Sequence, residues 1–163
     1  MKARRFIVAA MLLPAVSVSL AACATEGSGG EGWQSKRDVT SRVAKLREQT
    51  DLPPGGVWSA EVSGSDKDRY QVGSADAIVL DEAQCEWYAY WLDREEASDT
   101  RGAASARRHF ADLHRMPAFK ANDDSYRQVV QAVEDAAELG DPSGIQQFVR
   151  DNCGDMQKGS DYR

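Results

Sequence analysis

Asp81-Glu82-Ala83-Gln84-Cys85-Glu86-Trp87-Tyr88-Ala89-Tyr90-Trp91-Leu92 holds two of the four tryptophans and two of the five tyrosines in the chain. At about 100° per residue with Trp87 at zero, Trp91 falls near 40°, Tyr88 near 100°, Leu92 near 140°, Cys85 near 160° and Ala89 near 200°. These positions make one broad apolar arc, as on a helix that turns one face to a core. Glu82, Glu86 and Asp93 fall together between about 220° and 260°, and Tyr90 and Trp87 stand at the border of the two faces. Asp81 with Gln84 three residues on forms a capping box at the start. An earlier start near Asp76 is also open, because Ala77-Ile78-Val79-Leu80 fits either a helix or a strand. The helix extends to about Ala97.

On the N-terminal side, Ser35 and Asp38 have the spacing of an N-cap with an acidic first turn, and Val39, Val43 and Leu46 follow at helical spacing. Leu52-Pro53-Pro54-Gly55-Gly56 ends that helix. Val57 to Val62 then reads as a short strand, Gly64 to Asp68 as a turn, and Tyr70-Gln71-Val72 as the returning strand of a hairpin. On the C-terminal side, a helix from about Arg101 to Arg115 buries Ala106, Phe110 and Leu113, and Pro117 stops it. The next runs from about Ser125 to Leu139, with Asn122-Asp123-Asp124 as caps and Gly140 as the stop. Tyr126, Val129, Val130, Val133 and Ala137 are its inward residues. In the last helix Asp141 caps, Pro142 takes the first turn, and Ile145, Phe148 and Val149 lead to Cys153. The expected fold is mainly α: a small bundle of about five helices with a short β-hairpin over residues 35–155, then a polar tail over 156–163.

The 163 residues carry 20 Lys and Arg against 26 Asp and Glu, with 42% hydrophobic residues. One ordinary domain fits that length. An acidic chain lacks the cationic surplus with which nucleic-acid binders neutralise phosphates, so no nucleic-acid partner is expected.

Met1-Lys2-Ala3-Arg4-Arg5 is a basic start, and Phe6 to Leu20 follows without a charge. The run is short of the ~20 residues that a spanning helix needs, and it has the layout of an export signal. Leu20-Ala21-Ala22-Cys23, directly after it, resembles the lipobox of bacterial lipoprotein precursors. The resemblance covers the first 23 residues and implies that Cys23 receives a diacylglyceryl group once residues 1–22 are removed. Cys23 with the Gly-rich stretch to residue 34 then forms a lipidated, flexible tether with a reach of roughly 18 Å. Stable anchoring takes two acyl signals, at about 0.8 kcal/mol per buried methylene. The alternative is simple secretion, since Ala22-Cys23-Ala24 also satisfies a small-x-small cleavage rule. Without residues 1–22 the chain keeps 17 Lys and Arg against 26 Asp and Glu, a formal charge of −9.

With Cys23 lipidated, Cys85 and Cys153 remain as one candidate disulfide, permitted outside the cytosol. Two separate buried thiols are the other reading. The expected place is the extracytoplasmic face of a cell membrane, lipid-anchored at Cys23. The expected activity is that of a non-catalytic module binding a protein or cell-envelope component.

Trp87 and Tyr90 beside Glu86 and Asp93 are the binding candidates, because amphipathic aromatics favour contacts and carboxylates beside rings hold sugars or cations. An ordinary core helix with solvated charges explains the same pattern. A cell-envelope hydrolase using Glu82, Glu86 or Asp93 would need one of these carboxyls buried. A secreted interaction or inhibitor protein is the remaining alternative. His109 and His114, five apart and about 140° around the helix, are not the i,i+4 pair that binds zinc. Gly27 to Gly32 lacks a phosphate-loop lysine. No cofactor and no metal are implied.

Overall fold

Ser35 and Asp38 set the first helix by trading hydrogen bonds. β1 (Trp33–Ser35) runs straight into α1 (Lys36–Arg47), and the junction is a capping box. The Ser35 hydroxyl accepts from the Asp38 amide, and the Asp38 carboxylate accepts from the Ser35 amide, each at 3.3 Å. Two donors that the first helical turn would leave unpaired are thereby satisfied. The computed structural model describes residues 32–59 and 61–154. Cys23, most of the tether and the tail over 156–163 lie outside the described residues.

After α1 the order is β2 (Arg69–Gln71), α2 (Ser74–Glu96), α3 (Thr100–Leu113), α4 (Pro117–Ala121), α5 (Asp124–Glu138) and α6 (Ser143–Asn152). The architecture is mainly helical with one two-stranded antiparallel sheet and one disulfide. The helix beyond the five expected is α4. Pro117 was expected to stop α3; it instead opens α4, since a proline at the first helical position gives up no hydrogen bond. The earlier start of α2 is the one realised, with Gly73 before it at φ 97°. Gly140 ends α5 at φ 88°, a conformation that suits glycine.

The sheet pairs different segments from those the hairpin reading joined. β2 lies where the returning strand was expected, but its partner is β1, with Trp33 opposite Gln71 and Ser35 opposite Arg69. Residues 57–59 and 61–62 form no strand. That stretch is drawn down onto the helices instead. Val62 is buried among Val39, Val43, Ala75 and Val79, and Trp58 packs on this cluster as well as on the main core. The turn at Ser65–Asp68 forms as expected, with the Asp68 amide donating to the Ser65 carbonyl at 3.0 Å.

The central element is α2. α1 lies along one side of it and α3 along another, with α4 and α6 closing the rest. Every residue from Glu82 to Tyr88 is buried, so the helix has no water-facing stripe through its middle. The other helices bury one stripe each: Ala103, Ala106 and Phe110 on α3, Val130 and Ala137 on α5, Ile145 on α6. Val129 departs from its expected inward position and is 61% exposed, because α5 packs through the neighbouring 130/137 line. Cys85 on α2 and Cys153 after α6 are bridged, with Cα atoms 5.4 Å apart. The bond ties the end of the last helix to the middle of the central one.

Candidate functional site

The four residues expected at an exposed border are mostly inside. Trp87 is 3% exposed, Tyr90 9% and Glu86 1%. α3 covers this face: the His109 ring stacks on Trp87 at 3.8 Å and 11°. The loop after α1 covers it from the other side, since the indole N–H of Trp87 donates to the Asp51 carbonyl at 2.9 Å. Trp87 and Tyr90 do meet, edge to face at 5.9 Å, and the Arg94 guanidinium lies 5.1 Å above the Tyr90 ring. Asp93 is farther along the helix, partly buried and paired with Arg94. The Trp87/Tyr90 border is therefore a packed seam and not a surface. A wheel projection orders residues around an axis, but it does not know how many neighbours cover that axis.

Glu82 and Glu86 are likewise buried, against the expectation of a solvated acidic face. Arg47 from α1 grips Glu82: one terminal nitrogen donates to both oxygens at 2.8 and 2.7 Å and to the Ser59 hydroxyl at 3.1 Å, and Nε donates to Glu82 Oε2 at 3.1 Å. Ser59 also donates to Glu82. Arg47 stacks over Trp58 at 5.4 Å. A desolvated carboxylate is tolerable when its charge and lone pairs are matched in this way. Glu86 lies under the Pro-Gly loop: a Cβ placed on Gly56 would sit 3.0 Å from Glu86 Oε2 and 3.0 Å from the Pro53 carbonyl. Glycine at 56 lets the loop close over that carboxyl.

A second polar array runs from α2 to α5. The Tyr126 hydroxyl donates to Gln84 Oε1 at 3.2 Å, Gln84 Nε2 donates to the Tyr88 hydroxyl at 3.0 Å, and that hydroxyl donates to Glu134 at 2.7 Å. His114 Nε2 lies 3.1 Å from Glu134 without the alignment of a hydrogen bond, and its ring stacks on Phe119 at 4.2 Å. Burial, reinforced by Glu134, pushes the Tyr88 hydroxyl well above the ordinary tyrosine range. Tyr88 is thus a neutral hydrogen-bonding strut rather than an acid or base.

Beside this array opens a cavity of about 260 Å³, lined by Asp81, Cys85, Tyr126, Phe148 and Asn152. It lies between α2, the start of α5 and the end of α6. Burial, then the neighbouring Glu82, push the Asp81 carboxyl above its ordinary value although the residue keeps an exposed side. The Tyr126 hydroxyl is raised by burial and by the charges of Asp81 and Glu134. Asp81 lies inside α2, which begins at Ser74, and so does not cap it as expected. The available signal was the pair of i,i+4 steps, Asp81/Cys85 and Phe148/Asn152, on helices joined by the expected disulfide.

Among the described residues no group of three or more His, Cys, Asp or Glu is arranged to hold a metal ion, and no helix is long and apolar enough to cross a membrane. No protein-family model matches the chain, and comparison with curated proteins and with solved structures finds no match.

Proposed function

We propose that this chain is an extracytoplasmic lipoprotein, acylated at Cys23 and held to a cell membrane by that lipid. Its acidic helical domain serves outside the cytosol as a non-catalytic module that binds a protein or a cell-envelope component. The observation that carries the reading is Leu20-Ala21-Ala22-Cys23 ending an uncharged run that begins just after Lys2, Arg4 and Arg5. The cysteine usage supports it. Cys85 and Cys153 are bonded to each other, which leaves Cys23 for acylation, and such a bond persists in oxidising compartments. A non-catalytic role is supported by the engagement of Glu82, whose oxygens are occupied by Arg47 and Ser59.

The test is a Cys23→Ser precursor expressed beside the native one in a bacterial host fed labelled palmitate. The native chain should take up label and sediment with membranes; the variant should do neither. Equal fractionation of the two chains would refute the anchor.

A further inference from the structure

The structure offers a binding site in the cavity between α2, α5 and α6, and we infer that it takes a small organic cation of the alkylammonium class. The observations concern what lines it. Asp81 contributes a carboxylate, which only accepts hydrogen bonds. No Lys, Arg or His nitrogen among the described residues forms an ion pair with it. Tyr126 and Phe148 contribute rings, and Phe148 is fixed edge to face on the buried Tyr88 at 5.1 Å.

Two of the donors at the rim are already engaged. The Tyr126 hydroxyl donates into the protein to Gln84, and Asn152 Nδ2 donates back to the Phe148 carbonyl at 2.9 Å. Cys85, bridged to Cys153, also lines the cavity. Besides the second Asn152 N–H, the lining brings the Asp81 carboxylate and the Tyr126 and Phe148 rings, and both carboxylate and rings attract positive charge.

The electrostatics agree with the geometry. Both groups are raised by burial first, and then by negative neighbours: Glu82 beside Asp81, and Asp81 and Glu134 beside Tyr126. An arriving cation would offset the charge-driven part of that shift, and an anion would add to it. The volume is below the ~300 Å³ at which pockets for drug-sized ligands begin. A compact ammonium head fits that volume. The disulfide and the Phe148/Tyr88 contact hold the walls in place before anything binds, which reduces the cost of ordering the site. The inference is separate from the anchor, because binding can be measured whether or not Cys23 carries lipid.

The experiment titrates the full chain in detergent with choline and with its uncharged isostere, in which carbon replaces the nitrogen. NMR follows the Asn152 side-chain amide and the Tyr126 ring. Choline should bind saturably in the millimolar range, and the isostere roughly tenfold more weakly or less well still, since one decade corresponds to the loss of one modest charge contact. Asp81→Asn should weaken choline about tenfold while the urea midpoint and the disulfide mass stay unchanged. Phe148→Leu should weaken it several-fold by removing one ring. The proposal is overturned if choline gives no saturable shift, if the isostere binds as well, or if correctly folded Asp81→Asn binds choline as the native chain does.

Discussion

Reduction of Cys85–Cys153 offers the most direct measurement of what holds this domain together. The bridge spans 68 residues of sequence. On the chain-entropy account, a loop of that size removes about 15 cal/mol/K from the unfolded ensemble, or about 4 kcal/mol at room temperature. That is a large fraction of the ~5–15 kcal/mol by which a domain of this kind is stable. Urea unfolding followed by tryptophan fluorescence reads the change, because Trp87 and Trp91 are buried whereas Trp33 is exposed. With a slope near 2 kcal/mol/M, the midpoint of the reduced chain should fall by about 2 M. Cys85→Ala/Cys153→Ala should fall further, by about 1 kcal/mol or more, because it also empties two sulfur positions in a closed interior. A reduced chain within about 1 kcal/mol of the oxidised one would refute the reasoning. It would mean that the unfolded chain stays compact enough for the ring closure to change little.

Other perturbations separate the remaining contributions. Arg47→Ala should cost roughly 3–5 kcal/mol by leaving Glu82 buried without its partner, and adding Glu82→Gln should restore part of that loss; additive costs in a double-mutant cycle would deny the coupling. Gly56→Ala should destabilise by about 1–3 kcal/mol, since its methyl meets Glu86 Oε2 and the rigid Pro53 carbonyl; an unchanged urea midpoint would mean that the loop moves freely. The Ser35 hydroxyl and amide hold the Asp38 carboxyl below its ordinary range. A depressed folded-state pKa gives stability present above the unfolded value near 3.8 and lost as pH falls through the lower folded value. Ser35→Ala should therefore weaken the protein more near neutral pH than at about pH 2, and a pH-independent loss in urea titrations would remove Asp38 from the account. His109→Ala should uncover Trp87 and shift its emission to the red, with no shift if the loop at Asp51 alone shields the indole.

Interactions between residues a few positions apart were legible without the fold. Ser35/Asp38 announced the first helix, Asp123 the start of α5 and Gly140 its end, because a cap is satisfied by the backbone next to it. The buried stripes of α3 and α6 followed from spacing, as did the chance for Cys85 and Cys153 to meet. The basic start, the uncharged run and Cys23 are equally local features, and the proposed anchor rests on them. Only the tertiary structure decided which partners cover a given face. β1 finds β2 across α1, with Trp33 opposite Gln71. Arg47 finds Glu82 from 35 residues away, and the loop at Gly56 closes over Glu86. α2 looked one-sided because its carboxylates share a face, and that face is buried because α1 brings a guanidinium to it. Burial belongs to the assembly of helices rather than to any one of them, and for that reason a surface was expected at Trp87 and Tyr90 while the cavity at Asp81 went unnoticed.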